Sequence, residues 1–249
     1  MASKLSKLLF ILLLATWIIT YFTQDSYRDV TDIAPPVMKP PIQLDTTSKE
    51  PIKFTSNGYE YDLKPLYHYE INGLLVHRLN YKKFSIYSYA SVFQEDLCLL
   101  WGSNVTNRIY QSPNLTFSQD GRFAYYQWTG TLNFNTTEIS NNHLLINSKA
   151  LEKKLKELNN GDQVKITGFL VDVAARNISS TGVEKDAGYT WQTSTIRTDT
   201  GPGACEIIYV GDIEILKKGN PLAANLHLFC FYGVIIMLIL YVVKFVGSA

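Results

Sequence analysis

A mainly β, α+β domain held outside the cytoplasm between two transmembrane helices is the architecture this sequence predicts, and three observations predict it. An uncharged apolar run stands near each end of the chain. Between the runs, short segments rich in β-branched and aromatic residues alternate with Asn, Gly, Ser and Pro, the punctuation of strands and turns. Tyrosine is abundant, 16 residues against 12 Phe and 4 Trp, which suits pleated, half-buried strands better than helices.

The elements follow in order. Residues 1–7 carry Lys4 and Lys7 and form a cytoplasmic amino terminus. Residues 8–23, apolar from Leu8 to Phe22, are laid out as a signal anchor. The exit from the run reads Ile19, Thr20, Tyr21, Phe22, Thr23, Gln24 and lacks the small residues that signal peptidase needs, so the anchor is expected to stay uncleaved. Its apolar part rises about 22 Å, short of a roughly 30 Å hydrocarbon core, and snorkelling of Lys7 with Trp17, Tyr21 and Phe22 near the interface makes up the difference. Residues 226–243, from Leu226 to Val243, form a second span closed by Lys244, and residues 244–249 return to the cytoplasm. His227 lies near the end of that span, where headgroups solvate it. The basic residues before the first span place the middle of the chain outside; Lys217 and Lys218 oppose this, but the first span usually dominates.

Residues 24–56 contain Pro35, Pro36, Pro40, Pro41 and Pro51 and read as a stalk that folds back along the domain surface. Residues 57–216 form the domain, with strands expected at 67–79, 84–93, 96–101, 122–128, 163–173, 189–195 and 205–216. One helix at 148–158 places Leu151, Leu155 and Leu158 on one face and ends at Asn159, Asn160 and Gly161. Directly after it, Val164, Ile166, Gly168 and Leu170 alternate with polar positions, and a mid-strand glycine signals a bend or bulge. That string resembles a strand of an OB-type barrel. Residues 217–225 are a short linker into the second span.

Net charge is +1, from 23 basic and 22 acidic residues without a basic, aromatic-interleaved patch, so nucleic acid is not an expected partner. Four histidines without close Cys or His pairs predict neither a metal site nor a cofactor. Asp199, Thr200 and Gly201 spell the triplet of aspartic proteases, but Arg197, Thr198 and Pro202 around it favour a turn capped by Asp199. Cys205 and His143 are candidates for a thiol and general base, with Arg197 to stabilise an anion. Cys205 has two other readings: a disulfide with Cys98, which would close a loop of about 107 residues and stabilise by about 4.7 kcal/mol, or a pair of unbridged structural thiols. Sequons at Asn104, Asn114, Asn135 and Asn177 mark exposed polar loops. Tyr125, Tyr126 and Trp128 suit a sheet core or a sugar- or peptide-binding surface.

Several strings taken together resemble an uncharacterised family of bacterial membrane-anchored proteins over about residues 65–216. They are Asp96-Leu97 leading to Trp101-Gly102, Gly121-Arg122-Phe123 leading to Trp128, Asn142-His143-Leu144, the strand at 161–171, and the run from Arg197 through Asp199-Thr200-Gly201-Pro202-Gly203-Ala204-Cys205 to Glu206. The resemblance implies a bacterial inner membrane, which with the charge-based orientation would make the domain periplasmic, and it marks Trp101, His143, Arg197, Asp199 and Cys205 for testing. It implies no activity. The lipid bilayer is one partner on this reading. The architecture leads to a non-enzymatic binding or scaffold domain for a protein or envelope polymer; the competing reading is a small Cys/His-dependent hydrolase or transferase of the cell envelope.

Overall fold

Alternation of apolar and polar residues builds the centre of the molecule. A computed structural model describes residues 2–23, 26–46, 50–56, 58–81, 93–178 and 188–246. The fold is mixed and strand-rich, with an apolar helix at each end. In chain order the elements are α1 (Ala2–Thr23), β1 (Ile42–Asp45), β2 (Ile52–Ser56), β3 (Tyr59–Asn80), β4 (Glu95–Leu100), α2 (Ser103–Thr106), β5 (Leu115–Asp120), β6 (Phe123–Trp128), β7 (Ile139–Leu145), α3 (Lys149–Lys156), β8 (Gln163–Asn177), β9 (Gly188–Trp191), β10 (Glu206–Lys217) and α4 (Pro221–Val246).

β3 pairs antiparallel with β8 along most of its length and, on its other side, with β2, β1 and β4 in turn. β4 pairs antiparallel with β7, β7 parallel with β10, and β10 antiparallel with β8. Side chains on one face of these strands form the main core: Ile71 and Leu75 from β3, Leu97 and Leu99 from β4, Leu144 from β7, Val164 and Ile166 from β8, and Ile208 and Ile213 from β10. α3 adds Leu155, and Leu158 follows it; each buried leucine is worth about 1.5–3 kcal/mol over an exposed one. Gly168 lies where β8 and β10 touch, and a Cβ there would sit 2.1 Å from the Tyr209 carbonyl oxygen. The adjacent irregularity between Val210 and Asp212 accommodates the bend that the mid-strand glycine announces.

β5 and β6 form a separate hairpin whose inner residues Leu115 and Phe117 pack over Leu74, Cys98 and Leu100 on the opposite face of β3 and β4. Val30 and Val37 complete this second layer, and Tyr110 donates its hydroxyl to the Val30 carbonyl at 2.7 Å. The expected stalk is therefore corrected. Residues 26–46 and 50–56 belong to the domain, because Val30 and Val37 have an apolar seat and two short strands find partners on β3. The strand expected at 84–93 falls, apart from Phe93, outside the described residues. Asn104 is also corrected: it is fully buried, its amide nitrogen donating to the Asn135 carbonyl at 2.8 Å while its oxygen accepts the Asn135 backbone N–H at 2.9 Å. It locks a loop rather than marking an exposed one.

α1 and α4 are long and apolar enough to cross a membrane. They pack antiparallel: Phe10 meets Tyr241 edge-on at 6.0 Å, and Thr20 Oγ1 lies 3.2 Å from His227 Nδ1. Gly233 permits the close crossing, since a Cβ there would fall 3.1 Å from Leu13. Both chain exits converge on one loop. Gly161 sits under the Ser26 carbonyl and Tyr27 on one side and against Gly219 on the other. Lys217 pairs with Asp32, and Asp162 accepts both the Lys218 ammonium and the Gly219 N–H at 3.0 Å.

Candidate active site

On β4 and β7 the strand alternation that sends Leu97, Leu99 and Leu144 into the main core sends Asp96, Cys98, Asn141 and His143 to the other face. Asp96 and His143 are directly paired in register, and both are buried. His143 Nδ1 approaches Asp96 Oδ2 to 2.7 Å as a close ion pair, with the ring N–H off the line to the oxygen. Tyr81 donates to the same Oδ2 at 2.5 Å, with the Gly121 carbonyl as an alternative acceptor at 2.9 Å. The imidazole is roofed by Phe93 at 5.3 Å; Phe93 packs on Trp191, and the Arg122 guanidinium lies over both rings. Burial opposes the imidazolium, but the Asp96 carboxylate outweighs it, and with Cys205 adding to the effect the His143 pKa is raised to about 9.

Cys205 reaches this face because β10 runs parallel to β7 with Glu206 opposite Asn142, which sets the preceding residue beside Asn141. Its thiol lies against His143 closely enough to influence it, while its own contacts are the Arg122 carbonyl at 3.8 Å and Asn141 Nδ2 at 3.7 Å. Cys205 opens onto a pocket of about 440 Å³. Phe123, Tyr125 and Tyr126 of the hairpin form one wall, and Asp199, Pro202 and Ala204 of the preceding loop the other. The left-handed Gly201 and Gly203 let this loop turn sharply before Cys205. Ser194 holds it, donating its hydroxyl to Asp199 Oδ2 at 2.6 Å and its N–H to the Cys205 carbonyl at 2.9 Å.

The structure thus brings His143 and Cys205 together and seats Asp199 on the same pocket, where its carboxylate accepts the Ser194 hydroxyl. Cys98 and Cys205 are both free thiols, which corrects the expected disulfide. β7 runs between them, and two strand spacings of about 4.8 Å put the Cα atoms beyond the roughly 7 Å that a bridge tolerates. Burial, with Cys205 nearby, pushes the Cys98 thiol pKa upward. Arg197 is not an anion donor at the pocket: it is paired with the buried Glu206, donates to Tyr69 at 3.0 Å and lies over the Tyr69 ring. Trp101 lies in the main core. Sequence reasoning missed Asp96 and Asn141 as members of the site. Their signal was polarity inside strands that are otherwise buried throughout.

No family model, curated protein or solved structure matches the chain.

Proposed function

We propose that this chain is a membrane-anchored thiol enzyme, a hydrolase or transferase in which Cys205 is the nucleophile, His143 the imidazole that keeps the thiol's proton as an imidazolium, and Asp96 the group that orients and charges His143. One observation carries the reading: three residues far apart in sequence converge on adjacent strands at an apolar-walled pocket, and only the sulfur-bearing member opens into it. A neighbouring imidazole is the usual means by which a cysteine becomes nucleophilic. A binding or scaffold role for a protein or envelope polymer is the second reading, favoured by exposed Phe123 and Tyr125. These rings line the Cys205 pocket, so we assign them to holding the reactant.

The ring of pairings β3–β4–β7–β10–β8 and back to β3, with β7 and β10 parallel and α3 between β7 and β8, supports reading the domain as a closed, OB-like barrel. The antiparallel α1–α4 pair supports a membrane hairpin with both termini on one face, and Lys4 and Lys7 support the cytoplasm as that face, which would put the site in the periplasm of a bacterial inner-membrane protein.

The test is iodoacetamide alkylation of Cys205 in detergent-solubilised full-length protein, followed by peptide mass spectrometry. The thiol should react faster than glutathione at pH 7, and His143→Gln and Asp96→Asn should each slow it by about tenfold or more. A rate equal to that of the urea-unfolded chain in all three proteins would remove the enzyme reading.

A further inference from the structure

A chain of amides ends at the sulfur, and its polarity is dictated by one atom. The Arg122 carbonyl oxygen can only accept, so the Asn141 side chain must present Nδ2 to it, at 3.0 Å. Asn141 Oδ1 then faces Gln119 and accepts its Nε2–H at 2.6 Å. Gln119 Oε1 is left to face His77 Nδ1 at 2.9 Å, which makes that ring nitrogen the donor. No amide in the series can flip without opposing two acceptors or two donors. The second Nδ2 proton of Asn141 is thereby aimed toward Cys205 Sγ, 3.7 Å away.

We propose that Asn141 Nδ2 is the oxyanion donor of the Cys205 centre, and that the site consequently takes a carbonyl electrophile, an ester, thioester or amide. The inference rests on the thiol-enzyme reading above. When sulfur adds to a carbonyl carbon, the oxygen that gains the π electrons lies about 3 Å from the sulfur, within reach of a donor placed as Asn141 Nδ2 is. With the thiol's proton held on His143 as the imidazolium, the C–S bond forms, and the carbonyl electron pair moves to oxygen against the amide N–H. Collapse restores C=O and breaks the bond to the leaving group, which departs with the proton of the His143 imidazolium. Water or an acceptor hydroxyl or amine then attacks the acyl-Cys205, giving its proton to His143, and collapse of that second adduct frees the sulfur. Gln119 and His77 touch no reactant; they are positioning residues that keep the amide turned.

Two reagents separate this role from all others. Iodoacetamide alkylates sulfur by displacement at a saturated carbon and creates no oxyanion, whereas p-nitrophenyl acetate acylates it through one. In full-length protein in detergent, with a Cys205→Ser control as background, Asn141→Ala is expected to lower the acylation rate about 100-fold and to leave alkylation within about threefold. Gln119→Met, which retains side-chain length but cannot anchor Asn141, is expected to show the same split with a smaller acylation loss, and it carries the test if Asn141→Ala does not fold. Equal losses in both reactions, or unchanged acylation, overturn the oxyanion assignment alone. A wild-type protein that matches the Cys205→Ser background with both reagents overturns the thiol-enzyme reading and this inference with it.

Discussion

Asp96 on β4 and His143 on β7 face each other across an antiparallel ladder and close to 2.7 Å, on the side of those strands turned away from the main core. A buried carboxylate there holds the imidazole protonated well past neutrality.

This pairing has a measurable pH signature. Folding raises the His143 pKa from 6.5 to about 9, so its contribution is complete below pH 6.5 and disappears as pH rises through 9. The loss across that window is on the order of 3 kcal/mol. Thermal unfolding of the detergent-solubilised protein should show stability falling from pH 6.5 to 9, and His143→Gln should flatten that slope. A wild-type curve that rises over the window would contradict the buried imidazolium.

The two domain thiols should behave in opposite ways. Iodoacetamide applied to the folded chain is expected to label Cys205 and spare Cys98, which is fully enclosed on β4. Mild oxidation with diamide should leave the pair unbridged, and a Cys98–Cys205 peptide should form only after denaturation, as read by non-reducing peptide mapping.

How far the sequence reveals this molecule depends on whether the cue is local. The apolar spans, the α3 leucine face and the alternation of β8 rest on neighbouring residues, and they are visible from composition and spacing. Val30 and Val37 are not, because isolated apolar residues among prolines look like linker until a surface is present to bury them. β7 was hidden for a related reason: Ser140, Asn141, Asn142 and His143 lack the apolar signature of a buried strand, yet all four are buried. The site inherits that difficulty. Asp96 meets His143 only through the β4–β7 register, and Asn141 meets Cys205 only because β10 returns parallel to β7.

Gly168→Ala tests the crossing of β8 and β10. Its Cβ would collide with the Tyr209 carbonyl, which belongs to the backbone and cannot swing aside. A loss of about 3 kcal/mol or more is expected in urea unfolding followed by Tyr and Trp fluorescence. A loss under about 1 kcal/mol would mean that the strands do not approach this closely.

Gly233→Leu tests the helix pair in the same spirit. The added side chain would meet Leu13 and force α1 and α4 apart. Ser6 Oγ and Tyr241 Oη are 3.4 Å apart, so a Ser6→Cys, Tyr241→Cys protein should be cross-linked in membranes by a short bifunctional maleimide that spans the space left by the phenol ring. Adding Gly233→Leu should reduce the cross-linked fraction several-fold.

Gly161, beside Ser26 and Tyr27 and against Gly219, with Lys217 paired to Asp32 and Lys218 to Asp162, ties the segment after α1 and the segment before α4 to one loop of the strand-rich body. Mounted in this way, Cys205 would work at a set height above the bilayer and would turn only as the two helices turn. On the thiol-enzyme proposal, reach would then select reactants along with pocket shape: carriers that hold an acyl group at that height would be served, and those anchored nearer to the lipid or farther from it would not.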